Sequence, residues 1–204
     1  MRKLITLLMI FLMLSDGVFA FTLPGKKAQE EPKVDTVTEQ AKVMYAQNDI
    51  DKAYEILEQK PEEERSALDW LMMGNIMQDK EQIDKALYMF NQAINKDPKF
   101  YKAHYNIGYI YLSKDQPNMA LKEFKLAVKY KPDFSYGYYN MGCAYLKLGK
   151  YSTAKYNFFR ALDLRAHEPD IYYNLAYSYK MMGKEKQAQT YLDLYNKMIE
   201  EHNF

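Results

Sequence analysis

An all-α array of about five stacked helix-turn-helix units is predicted for this chain by three observations. The first is a column of small residues: Gly74, Gly108, Gly142 and Ala176 stand 34 residues apart, and Ala86, Ala120, Ala154 and Ala188 repeat the interval twelve residues further on. The second is that large residues keep the same register. Met73, Ile107, Met141 and Leu175 precede the small residue, Met77, Tyr111, Tyr145 and Tyr179 follow it, and Phe90, Phe124, Phe158 and Leu192 come later. The third is the length of the period, which accommodates two helices and a turn; such a unit cannot bury its apolar face without a neighbour, so the units must stack.

Taken in order, residues 1–20 have the design of a secretory signal peptide. Arg2 and Lys3 precede an apolar run from Leu4 to Leu14, and Val18 and Ala20 mark a cut before Phe21. The run is about half the ~20 residues that a membrane-spanning helix needs. An uncleaved anchor is the alternative, and with the basic residues held in the cytoplasm it too would place the rest of the chain outside. The expected location is therefore periplasmic or extracellular, with membrane contact only if the segment is retained. Residues 21–33, with Pro24, Gly25 and Pro32, read as a flexible linker.

Residues 34–66 form a degenerate first unit. Ala41 and Ala53 keep the twelve-residue gap, Asn48 and Asp49 supply the turn, and Leu57 stands where the later units have Phe. Residues 67–100, 101–134 and 135–168 are the three strong units. Pro117 suits the first turn of a helix, and Gly149 a left-handed helix end. Pro98 and Pro132 close the first two, whereas the third has Ala166 there and Pro169 three residues on. Residues 169–202 form the last unit, with Gly183 at its turn and Tyr195 where Ala93, Ala127 and Ala161 stand earlier.

Composition agrees with a binding surface and argues against other classes. The chain has 20 Tyr and one Trp, and removing Arg2, Lys3 and Asp16 from its 28 basic and 27 acidic residues leaves 26 of each. A neutral net charge gives no electrostatic case for nucleic acid. Cys143 is the sole cysteine, so an intrachain disulfide is excluded. His104, His167 and His202 lack nearby partners at ligand spacing, and there is no nucleophile motif or phosphate loop. Neither an enzyme nor a metal or cofactor site is expected.

The column residues resemble the tetratricopeptide repeat (TPR) family over roughly residues 34–202. Its pattern is met by Trp70, Met73, Gly74, Met77, Ala86, Phe90, Ala93 and Pro98, and in the next unit by His104, Ile107, Gly108, Tyr111, Ala120, Phe124, Ala127 and Pro132. What the resemblance implies is a right-handed α-α superhelix whose first helices line a concave groove that holds a protein or an extended peptide. On that geometry Lys102, Tyr105, Tyr109 and Leu112 fall within an arc of about 80° on one helix face. The equivalents are Tyr136, Tyr139, Cys143 and Leu146, then Asp170, Tyr173, Tyr177 and Lys180, and earlier Leu68, Leu71, Asn75 and Gln78. Six tyrosines thus converge on the last three units.

Beside them Asn106, Asn140 and Asn174 recur, with Met72 breaking the row. The row looks like the asparagine ladder in the TPR groove of the glycosyltransferase that adds N-acetylglucosamine to serine and threonine, where amides hold a peptide backbone. The competing reading is that Asn and Tyr preserve the fold. Cys143 reads either as a reactive thiol or, better, as a small half-buried apolar residue. Lys102 and Lys180 are the only basic groove positions, which departs from TPRs that clamp a C-terminal carboxylate. The expected function is a non-enzymatic adaptor or scaffold of the cell envelope. Its alternatives are an accessory factor for polysaccharide handling or export and a self-assembling scaffold.

Overall fold

The computed structural model describes residues 35–164 and 168–202. The expected signal segment with its cut between Ala20 and Phe21, the linker to Lys33, Ala166 and His167 lie outside the described residues. Among the described residues there are ten α-helices and no strand. They run in pairs: α1 (Thr36–Ala46) with α2 (Ile50–Glu58), α3 (Ala67–Asp79) with α4 (Ile83–Lys96), and α5 (Tyr101–Ser113) with α6 (Pro117–Tyr130). Then come α7 (Ser135–Lys147) with α8 (Tyr151–Asp163) and α9 (Pro169–Met181) with α10 (Glu185–His202). From α3 onward every first helix and every second helix starts 34 residues after its predecessor. Each second helix packs on the first helix of the next pair, so residues Asp35 onward form an all-α solenoid.

The register of the small residues has a steric cause. A Cβ placed on Gly74 would lie 2.4 Å from Cε1 of Phe90, on Gly108 2.7 Å from Cδ1 of Phe124, and on Gly142 2.5 Å from Cε1 of Phe158. All three Phe side chains are fully buried. Each first helix must give up a side chain so that the ring of its partner helix can lie against its backbone. Burial of each ring is worth roughly 1.5–3 kcal/mol. The last unit has Leu192 in place of Phe, and there Ala176 is tolerated in place of Gly.

All five pairs turn in the same way. Asn48, Glu81, Asp115, Gly149 and Gly183 each adopt a positive φ, between 56° and 71°. The residue that follows each returns its N–H to a carbonyl five residues back: Asp49 to Met44, Gln82 to Met77, Gln116 to Tyr111, Lys150 to Tyr145 and Lys184 to Tyr179. This is the helix-ending motif that satisfies otherwise orphaned carbonyls. Asn48, Gly149 and Gly183 suit it, whereas Glu81 and Asp115 adopt it against their intrinsic preference.

The first two pairs are joined by a buried polar knot. Asp69, fully buried, accepts from Thr38 Oγ1 at 2.5 Å, from Lys60 Nζ at 2.7 Å and from Ser66 N at 2.7 Å. Burial alone would raise its pKa, but these donors more than offset it and hold the carboxyl below its usual range. Lys60 also pairs with Asp35, the N-cap of α1. A buried charge with so many partners fixes how α1 meets α3, because any other arrangement would leave Asp69 unpaired.

Candidate partner groove

The first helices of the last three pairs lie side by side, α5 against α7 and α7 against α9. They meet through paired side chains. Asn140 Nδ2 donates to the Tyr105 hydroxyl at 2.9 Å, and Asn174 Nδ2 donates to the Tyr139 hydroxyl at 3.4 Å. One unit earlier Asn106 Nδ2 donates to Asn75 Oδ1 at 2.7 Å. Each Asn of the column therefore reaches back to the preceding first helix. The row is not a set of free amides: Asn140 is buried, and Asn106 and Asn174 are half-buried with a donor already committed. The Asn column ties unit to unit, which accords with the fold-preserving one of its two readings from the sequence.

The tyrosines divide into two groups. Tyr105 and Tyr139 are half-buried where one first helix meets the next. The Tyr105 ring lies 5.0 Å from that of Phe134 and 5.9 Å from that of Phe124, and Tyr139 lies 5.9 Å from Phe158. Burial pushes the Tyr105 hydroxyl up to about 12 and raises that of Tyr139 as well. Tyr109, Tyr136, Tyr173 and Tyr177 instead expose between 43% and 51% of their surface. Tyr136 donates to Glu168 at 3.1 Å, and this hydrogen bond raises its pKa. Tyr173 packs on Tyr195 with rings 5.5 Å apart, and Tyr177 meets Tyr151 edge-on at 6.3 Å. Lys102, Asp170 and Lys180 are exposed along the same helices.

Cys143 is half-buried and packs in the apolar clusters that include Tyr105 and Tyr139. Burial pushes its thiol up to about 11, with Asp170 adding to the shift and a hydrogen bond to Tyr139 opposing it. A thiol so far above the ordinary range carries little thiolate, so the apolar reading of Cys143 fits the geometry and the reactive one does not. Toward the amino end the face closes: Leu71 and Met72 are buried, and Asn75 and Gln78 only half-exposed.

Three further residues border this surface, and of these the sequence had marked only Tyr195, for its place in the column of Ala93, Ala127 and Ala161. Phe134 caps α7 and touches Tyr101, Tyr105 and Tyr136, with ring centroids 5.1, 5.0 and 6.1 Å away. Tyr151 and Tyr195 come from second helices and reach the edge of the same surface. Phe134 had a legible signal, since Phe100 stands 34 residues earlier at the same helix start.

Comparison with known proteins agrees with this architecture. Family models described as TPR repeat match residues 74–115 and 142–183, and models described as tetratricopeptide repeat match 123–156, 101–134 and 169–202. No curated protein matches the sequence. Among solved structures, MamA residues 41-end from Desulfovibrio magneticus RS-1 superposes with a TM-score of 0.73 at 17% identity, covering 85% of this chain and 99% of that one. A second MamA crystal structure gives 0.71 at 16% identity over 80% and 96%. MamA of AMB-1 gives 0.68 at 19% identity over 81% and 91%. At these identities the likeness is one of fold. The period, the paired helices and the family matches together place this chain in the tetratricopeptide repeat family.

Proposed function

We propose that this TPR scaffold is a non-enzymatic adaptor of the cell envelope that holds an extended segment of a partner protein against the exposed tyrosines of α5, α7 and α9. The family supplies the coarser function, protein–protein interaction. The observation that carries the finer one is the division of labour among the tyrosines. Tyr109, Tyr136, Tyr173 and Tyr177 remain open on three adjacent helices, while Tyr105 and Tyr139 are tied to Asn140 and Asn174 and hold those helices in place. Rigid aromatic rings with a polar tip give contact area at low entropic cost.

Export rests on the amino-terminal sequence pattern; among the described residues no helix is long and apolar enough to cross a membrane. Affinity capture from the cell envelope with the intact chain and with a Tyr109→Ala, Tyr136→Ala, Tyr173→Ala, Tyr177→Ala variant tests the groove. Aromatic anchors often cost ~2 kcal/mol or more on truncation, so the variant is expected to keep its helical content and lose the partner. Equal capture by both proteins would refute the groove reading, and release of the captured material by free glycan would favour the polysaccharide alternative.

A further inference from the structure

A cleft between α6 and the turn that joins α7 to α8 is lined by none of Tyr109, Tyr136, Tyr173 and Tyr177. We propose that this cleft docks an acidic segment of a partner protein that carries an apolar side chain.

The cleft has a volume of about 490 Å³, and four lysines border it: Lys122, Lys125 and Lys129 from α6, and Lys150 from the start of α8. The spacing on α6 places its three lysines on one helix face. The floor is apolar, built from Leu121, Leu126 and Tyr145. Leu121 is 6% exposed and Tyr145 half-buried, so the floor is part of the packed core seen from outside.

What distinguishes these lysines is that four of them gather around one apolar cleft with no carboxylate among its lining residues. Three lysines elsewhere are matched across successive units: Lys80 with Asp51, Lys114 with Asp84 at 3.6 Å and Lys147 with Asp115 at 2.7 Å. Among the described residues none of the four cleft lysines forms an ion pair; Lys129 only leans over the Tyr130 ring at 5.6 Å. The one carboxylate on α6, Glu123, is turned the other way and meets His104 Nδ1 at 2.8 Å. The net charge of the whole chain, only +1, hides this local excess. An occupant that complements it must bring several carboxylates for the rim and an apolar group for the floor, which is the chemistry of an acidic peptide with an embedded aliphatic or aromatic residue.

The probe is a labelled peptide of glutamates around one central phenylalanine, followed by fluorescence anisotropy with the full chain. Binding is expected to weaken as ionic strength rises. A Lys122→Gln, Lys125→Gln, Lys129→Gln variant should bind about tenfold more weakly or worse, with unchanged circular dichroism. A Lys85→Gln, Lys99→Gln, Lys186→Gln control, equal in charge but outside the cleft, and the four-tyrosine variant should both bind as the parent does. Several results overturn the proposal: no binding by the parent, equal binding by the cleft variant, equal binding of a peptide with glutamine in place of glutamate, or loss in the four-tyrosine variant. Binding of phosphatidylglycerol vesicles in place of the peptide would also overturn it, by assigning the lysines to an anionic membrane.

Discussion

Asn140 and Tyr105, 35 residues apart, share a 2.9 Å hydrogen bond that fastens α7 to α5. The amide is buried and the phenol half-buried, so neither can exchange this bond for water without opening the stack. Asn140→Leu should therefore destabilise the chain by about 1–3 kcal/mol in urea unfolding, and Tyr105→Phe by about 0.5–1.5 kcal/mol. A double-mutant cycle should give a coupling energy of at least about 0.5 kcal/mol. Independent effects would mean that Asn140 is held there for a ligand.

The glycine column predicts an overpacking cost. Gly108→Ala introduces a Cβ into the Phe124 ring, which is fully buried and cannot swing into solvent. A loss of about 1–3 kcal/mol is expected in thermal or chemical unfolding. Pairing it with Phe124→Leu, the combination already present at Ala176 and Leu192, should recover part of that loss. An unchanged midpoint for Gly108→Ala alone would show that the helices separate freely at this point.

Glu81 and Asp115 sit at φ values of 60° and 56°, where a Cβ is unfavourable. Glycine relieves that strain at some cost in unfolded-state entropy, and the relief is the larger quantity. Glu81→Gly should raise stability by about 0.5–1 kcal/mol, and Gly149→Glu should lower it by a similar amount. Opposite signs in the two melting curves are the check.

His104 makes the stability of the central unit depend on pH. Its Nδ1 lies 2.8 Å from Glu123 Oε2 and its Nε2 3.1 Å from the Pro98 carbonyl, so only the doubly protonated ring can donate to both. Burial alone would lower its pKa, but Glu123, the Pro98 carbonyl and Asp97 outweigh it and raise the folded value above 6.5. The folded state therefore binds the proton more tightly than the unfolded chain. The stabilisation is complete below pH 6.5 and is lost as the pH rises through the folded value. Melting temperatures measured across that window should fall in the parent and fall less in Glu123→Gln; equal slopes would mean that the pair does not titrate with folding.

The fold was legible because stacking imposes a constraint that recurs. Every Gly of the column must lie under a Phe, so the requirement is written into the chain at the same interval each time, and a periodic requirement is the kind a single sequence displays. Spacing brings Tyr105, Tyr109, Tyr136, Tyr139, Tyr173 and Tyr177 to the first helices, while it was the resemblance to the family that marked their face as a candidate groove. Which of them are supports and which are open could not be read, because exposure depends on the neighbouring unit. Tyr105 and Tyr109 share an arc, yet only Tyr105 has Phe134, the N-cap of α7, and Asn140 of α7 packed on it. The same holds for the asparagines and the lysines. An Asn shows in the sequence that it can donate, and a Lys that it is charged, but whether a partner is already within reach is settled only when α5, α6, α7 and α8 are laid together.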